Sequence, residues 1–136
     1  MINSVNFNNP SFKGAISIEK SFVKALDSYS ERELMTLNEV MTFLKNDGKK
    51  LVDKIPAKDV IFIGARETST GENKISLVHN RLFVSPASFE PKKRDISNFK
   101  QIFADMITGI RREYKNNSSE KLIKEEILRK IKDFNK

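Results

Sequence analysis

Four consecutive apolar residues, Val60-Ile61-Phe62-Ile63, closed off by Asp59 and Gly64, restrict this chain more than any other feature. A short run of β-branched and aromatic residues without polar alternation is the pattern of a strand covered on both faces. The strand is therefore expected inside a sheet, with Phe62 in the core. Polar residues Arg66 to Asn73, with Gly71 among them, form a hairpin connection to a second strand, Lys74 to Val78. His79-Asn80 supplies a tight turn, and Arg81-Leu82-Phe83-Val84 completes an antiparallel meander over about residues 59–84. Phe12 to Ile18 alternates loosely and adds a short strand before a helix over about Ser17 to Leu26.

The helices are written in a different period. Ser30-Glu31-Arg32-Glu33 is a capping box, in which the Ser30 hydroxyl accepts from the Glu33 amide and the Glu33 side chain reaches back. Leu34, Leu37, Met41 and Leu44, widened by Val40 and Phe43, then form one apolar face, while Glu39 and Lys45 stay in water. Asn46-Asp47-Gly48 is expected to end this helix, with Gly48 in a left-handed cap. Leu51, Val52 and Ile55 suit a further helical turn that Pro56 stops. Pro86 and Pro91 bracket an irregular linker. Asp95 or Ser97 caps the best amphipathic helix, whose buried face reads Ile96, Phe99, Phe103, Met106 and Ile110, flanked by Ile102, Ile107 and Tyr114. Gly109 lies inside it at a cost of about 1 kcal/mol relative to Ala, which close packing would offset. Asn116 to Ser119 breaks the pattern, and a last helix over about Glu120 to Phe134 carries Ile123, Ile127, Ile131 and Phe134 on one side.

Helices, a meander and helices again make an α+β fold: a mainly antiparallel, three- or four-stranded sheet with N- and C-terminal helices packed around it. With 136 residues, 38% of them hydrophobic and ten of them Phe, the chain can fill one core. We read it as a single domain over residues 1–136, with the Asn-rich residues 1–12 as an arm. The amino-terminal stretch lacks the apolar run of a secretory leader, and no apolar stretch reaches membrane-spanning length, so a cytoplasmic protein is expected. The Asn-x-Ser triplets at Asn116 and Asn117 are read as chance.

Reactive groups are scarce. Without Cys there is no disulfide framework, thiolate metal site or thiol nucleophile. Glu125-Glu126 and Glu31-x-Glu33 do not converge as metal ligands, so neither metal nor cofactor is expected. The hydroxyl-rich loop Arg66 to Asn73 lacks the Gly-Lys-Ser/Thr ending of a phosphate-binding loop. His79, the single histidine, is a general-base candidate with no orienting carboxylate close to it in sequence.

What remains is adhesive surface. The net charge of +7 is uneven: residues 1–68 hold 10 Lys/Arg against 9 Asp/Glu, and residues 69–136 hold 15 against 9. The leading expectation is a non-enzymatic binding domain acting on a protein partner or a second copy, with Leu122 and Leu128 as interface residues that widen the last helix's apolar stripe. The alternative is nucleic-acid or other polyanion binding through Lys92, Lys93, Arg94, Arg111, Arg112, Lys115 and Lys124, provided that they gather on one surface. A small enzyme using His79 is the second alternative.

Overall fold

The computed structural model describes residues 14–81, 84–93, 95–116 and 119–135. The arm expected over residues 1–12 lies outside them. Strand β1 (Ala15–Ile18) leads into helix α1 (Lys20–Ala25), α2 spans Glu31–Phe43, and α3 spans Lys49–Val52. Strands β2 (Val60–Glu67), β3 (Asn73–His79) and β4 (Ala87–Phe89) follow, and then helices α4 (Ile96–Asn116) and α5 (Ser119–Phe134). The class is α+β, as the sequence pattern requires.

The sheet has the order β1-β2-β3-β4, so β2 is interior. It is mixed. The pairs β2–β3 and β3–β4 are antiparallel, whereas β1 runs parallel to β2, with Ala15 opposite Val60 and Ile18 opposite Ile63. Side chains alternate along a strand, so Ile61 and Ile63 of β2, Ile75 and Leu77 of β3 and Phe89 of β4 form one fully buried face. Helices α2 and α4 contribute Leu37, Val40, Phe43, Phe99, Phe103, Met106, Ile107 and Ile110 to the same core. Phe43 meets both Phe99 and Phe103 edge-on, with ring centroids 6.0 and 5.6 Å apart. Among the described residues no helix is long and apolar enough to cross a membrane.

The capping box forms as read: Glu33 N–H donates to Ser30 Oγ at 3.2 Å and Ser30 N–H donates to Glu33 Oε1 at 2.8 Å. At α4, the Ser97 hydroxyl donates to Asp95 Oδ1 at 2.5 Å, and this bond, with the Asn98 and Ser97 amides, holds the Asp95 carboxyl below the ordinary range. Tyr29, which precedes the box, donates its hydroxyl to Asn73 O at 2.9 Å and ties the helix entry to β3. Burial, with Glu33 nearby, pushes its phenol up to about 12.

Five local expectations are corrected. Phe62 is half-buried, not core, because its side chain points away from α2 and α4 while Ile61 and Ile63 point toward them. Gly48 does not end a helix: its φ is −60°, and a wider turn over Leu44–Gly48 carries the chain straight into α3. Space there is tight, since a Cβ would come 3.3 Å from both Leu44 Cδ2 and Phe43 O, and these neighbours would have to give by a few tenths of an ångström. His79 is the last residue of β3 and buried, not a turn residue. The third antiparallel strand is Ala87–Phe89, inside the expected linker; Arg81 and Val84 are not strand, and Leu82 and Phe83 lie outside the described residues. Phe89 decides that placement, because its ring packs edge-on against Phe99 with centroids 5.3 Å apart. Gly109 has no close neighbour, since a Cβ there would meet nothing within 4 Å. The hairpin is as expected, with Gly71 at φ +86° in the loop between β2 and β3.

Replacing Phe103 with Ala should lower unfolding free energy by about 3–5 kcal/mol in urea titration, with Phe62→Ala costing distinctly less. In the same assay Gly109→Ala should stabilise by about 0.5–1 kcal/mol, because helix propensity improves and no atom has to move.

Candidate functional site

Two surfaces and one buried cluster carry most of the sequence's candidate residues. The cluster comes first, because it shapes one of the surfaces. The β2–β3 register sets Ile61 opposite His79, which brings the residue just before β2, Asp59, diagonally beside the histidine. Asn80 locks this end of the sheet: Val60 N–H donates to its Oδ1 at 3.0 Å, and its Nδ2 donates to Lys58 O at 2.9 Å.

Asp59 is completely buried, and its Oδ1 collects the neighbouring donors. His79 Nε2 lies 2.9 Å away, and the Tyr114 hydroxyl donates at 3.0 Å from α4. Arg81 Nε stands 3.5 Å off, close enough for charge attraction but not aligned as a hydrogen bond. His79 Nδ1 accepts the Arg81 amide at 3.2 Å, so the ring carries its proton on Nε2 and points it at Asp59. Asp59 Oδ2 accepts no hydrogen bond among the described residues. The orienting carboxyl that the sequence hid therefore exists, twenty residues upstream of the histidine. With no side-chain exposure and both ring nitrogens turned to protein groups, this histidine fastens the end of β3 to Asp59 at the start of β2, the same carboxylate that Tyr114 reaches from α4. A base acting on substrate needs a nitrogen that a substrate can reach, and this geometry lends the His79 reading no support.

Tyr114 joins the cluster to the surface. Its hydroxyl is held by Asp59, and its ring forms a wall of an open groove of about 900 Å³ between the α3–β2 connection and the last turns of α4. Asp53, Lys54, Pro56, Thr108, Arg111, Arg112 and Lys115 complete the lining, and Lys58 Nζ stands 6.0 Å above the Tyr114 ring.

The polyanion candidates accordingly separate. Arg111, Arg112 and Lys115 meet in this groove with Lys54 from the first half of the chain, and Lys58 stands over its Tyr114 ring. Lys92 and Lys93 do not join them. Lys92 pairs with Glu72 at 3.4 Å, and Lys93 pairs with Glu90 at 3.7 Å. Lys74, 3.1 Å from Glu90, together with Lys93 holds the Glu90 carboxyl below its ordinary range. Arg94 lies outside the described residues, and Lys124 belongs to α5. Sequence reasoning missed Lys54 and Lys58 because they stand singly, without a cluster to draw attention.

The second surface is α5 itself. Ile123, Ile127, Ile131 and Phe134 are 44%, 51%, 50% and 88% exposed, and Leu128 beside them is 64% exposed. Leu122 is partly buried and sits with Glu126 toward the other side of the helix. The two interface candidates therefore part: Leu128 borders the open stripe and Leu122 does not. Among the described residues no three His, Asp or Glu side chains gather as a metal site. Comparison with protein families, curated proteins and solved structures finds no match to this chain.

Asp59→Ala should cost about 3–5 kcal/mol by chemical denaturation, because it strands several buried donors at once, whereas Tyr114→Phe, which removes one hydroxyl, should cost about 1 kcal/mol. Equal losses would show that Asp59 is not the hub of the cluster.

Proposed function

We propose that this chain is a binding domain that associates with a second copy of itself through the apolar stripe of α5. The observation that carries this reading is the exposure of Leu128 together with Ile123, Ile127, Ile131 and Phe134 along one helix. Single exposed apolar residues are ordinary, but five in contiguous turns are a surface that gains from being covered.

One charge pair suits a like partner. When two α5 helices run antiparallel and cross at the level of Leu128, Glu126 of each copy lies level with Lys130 of the other, on the same flank of the stripe. The crossing is symmetric, so the Glu–Lys match occurs twice, and Leu128 meets its own equivalent on the other flank. Within one helix Glu126 and Lys130 already stand 3.7 Å apart, so both are placed to exchange partners. A residue buried at the centre of such a contact contributes more than one at its rim.

Sedimentation equilibrium over micromolar concentrations should show a reversible dimer, and Ile127→Glu or Leu128→Glu should leave a monomer with unchanged circular dichroism. Glu126→Lys should weaken the dimer, and adding Lys130→Glu to it should restore association, which separates an antiparallel self-contact from general stickiness. A monomer at every concentration tested would overturn the reading.

A further inference from the structure

We propose that the groove between the α3–β2 connection and the end of α4 binds a compact, multiply charged phosphate anion, of the size of pyrophosphate or the polyphosphate tail of a nucleotide. This is independent of the α5 contact. Lys54, Arg111, Arg112 and Lys115 line the groove, and Lys58 stands over its Tyr114 wall. None of these five has a carboxylate partner within ion-pairing distance among the described residues. That sets them apart from Lys74, Lys92, Lys93 and Lys130, each of which is paired.

A simpler reading of cations here is that they complement the carbonyl end of α4. That end carries the equivalent of about half a negative charge, which one Lys or Arg in the last turn offsets. Asp53 adds one further negative charge on the groove lining. The four cations of the lining, Lys54, Arg111, Arg112 and Lys115, exceed both together, so the groove keeps a positive field that an anion would neutralise. Two of the four are arginines, whose planar donor forks match phosphate oxygens.

The size of the site decides between a small ligand and a strand. About 900 Å³ lies in the range of small-molecule sites. A nucleic-acid strand asks instead for a cationic path running on across the surface. Lys92 and Lys93, the other run of cations read as polyanion candidates, are tied to Glu72 and Glu90, and Lys92 lines a different cavity with Tyr29 and Gly71. Pro56 and the Tyr114 ring give the groove an apolar wall, and the bond to buried Asp59 holds that ring still. A phosphate ester with a flat organic group uses both the cations and the wall.

Calorimetric titration of the full chain at low salt, with pyrophosphate and separately with adenosine triphosphate in the presence of chelator, tests the proposal. Both anions should bind, the triphosphate more tightly, with affinity falling as salt rises. The double variant Arg111→Gln/Lys115→Gln should weaken binding at least tenfold while its melting temperature stays near that of the parent. Lys92→Gln/Lys93→Gln should change affinity by less than twofold. Absence of binding by both anions would overturn the proposal, as would binding that ignores the groove variant. Single-stranded oligonucleotides that bind more tightly than either compact anion, with affinity growing steadily with length, would overturn it in favour of a strand-tracking surface.

Discussion

Burying Asp59 removes a carboxyl group from water, and the fold tolerates this only because separate parts of the chain bring donors to it. His79 comes from the end of β3, Tyr114 from α4 and Arg81 from the segment after β3. The apolar core would accept small sliding of α4 along the sheet at modest cost, because hydrophobic contact is not directional. A hydrogen bond of 3.0 Å to one phenolic oxygen is directional, and it sets where α4 stops. The cluster thus joins the strand that the sequence marks as interior to the helix that it marks as most amphipathic. It also determines where the Tyr114 ring stands, and so the shape of the groove beside it.

Much of this architecture was legible because its causes are local. The Ser30–Glu33 box, the Phe99–Phe103–Ile110 stripe and the β2–β3 hairpin each depend on residues within a few positions of one another, and each formed as read. The failures share the opposite cause. Gly48 carries a strong local signal for a helix end, but its backbone stays helical and the chain continues into α3 beside Leu44 and Phe43. Strand β4 is three residues between two prolines, too short for any period, and Phe89 is held there by Phe99. Phe62 belongs to a run with no alternation, and only the gathering of α2 and α4 on one side of the sheet distinguishes its face from that of Ile61.

The same distinction runs through the candidate sites. Arg111, Arg112 and Lys115 lie within five residues on one helix and could be picked out directly, whereas Lys54 and Lys58 reach them only because α3 and its following turn pack beside α4. The absence of a carboxylate near His79 in sequence was true and misleading, since an antiparallel register brings together residues twenty positions apart. The Lys92-Lys93 run was the most conspicuous basic feature in the chain. It is paired with Glu90, three residues before Lys93, and with Glu72 from the hairpin loop, twenty residues away, a partner that no count of neighbouring charges would reveal.

The two surfaces make opposite demands on solvent, and this keeps them from being one site. Apolar residues along α5 gain from contact as water is expelled, a contribution that added salt leaves intact or strengthens. Cations such as those of the groove attract an anion over long range, a force that salt screens over about 8 Å at physiological strength. Merging them would be costly, because burying Arg111 or Lys115 under an apolar partner would desolvate a charge with no carboxylate to meet it. An apolar row of Ile123, Ile127 and Ile131 with Glu126 and Lys130 at its flank, and a cationic groove whose apolar wall is Pro56 and one ring, are surfaces suited to different partners.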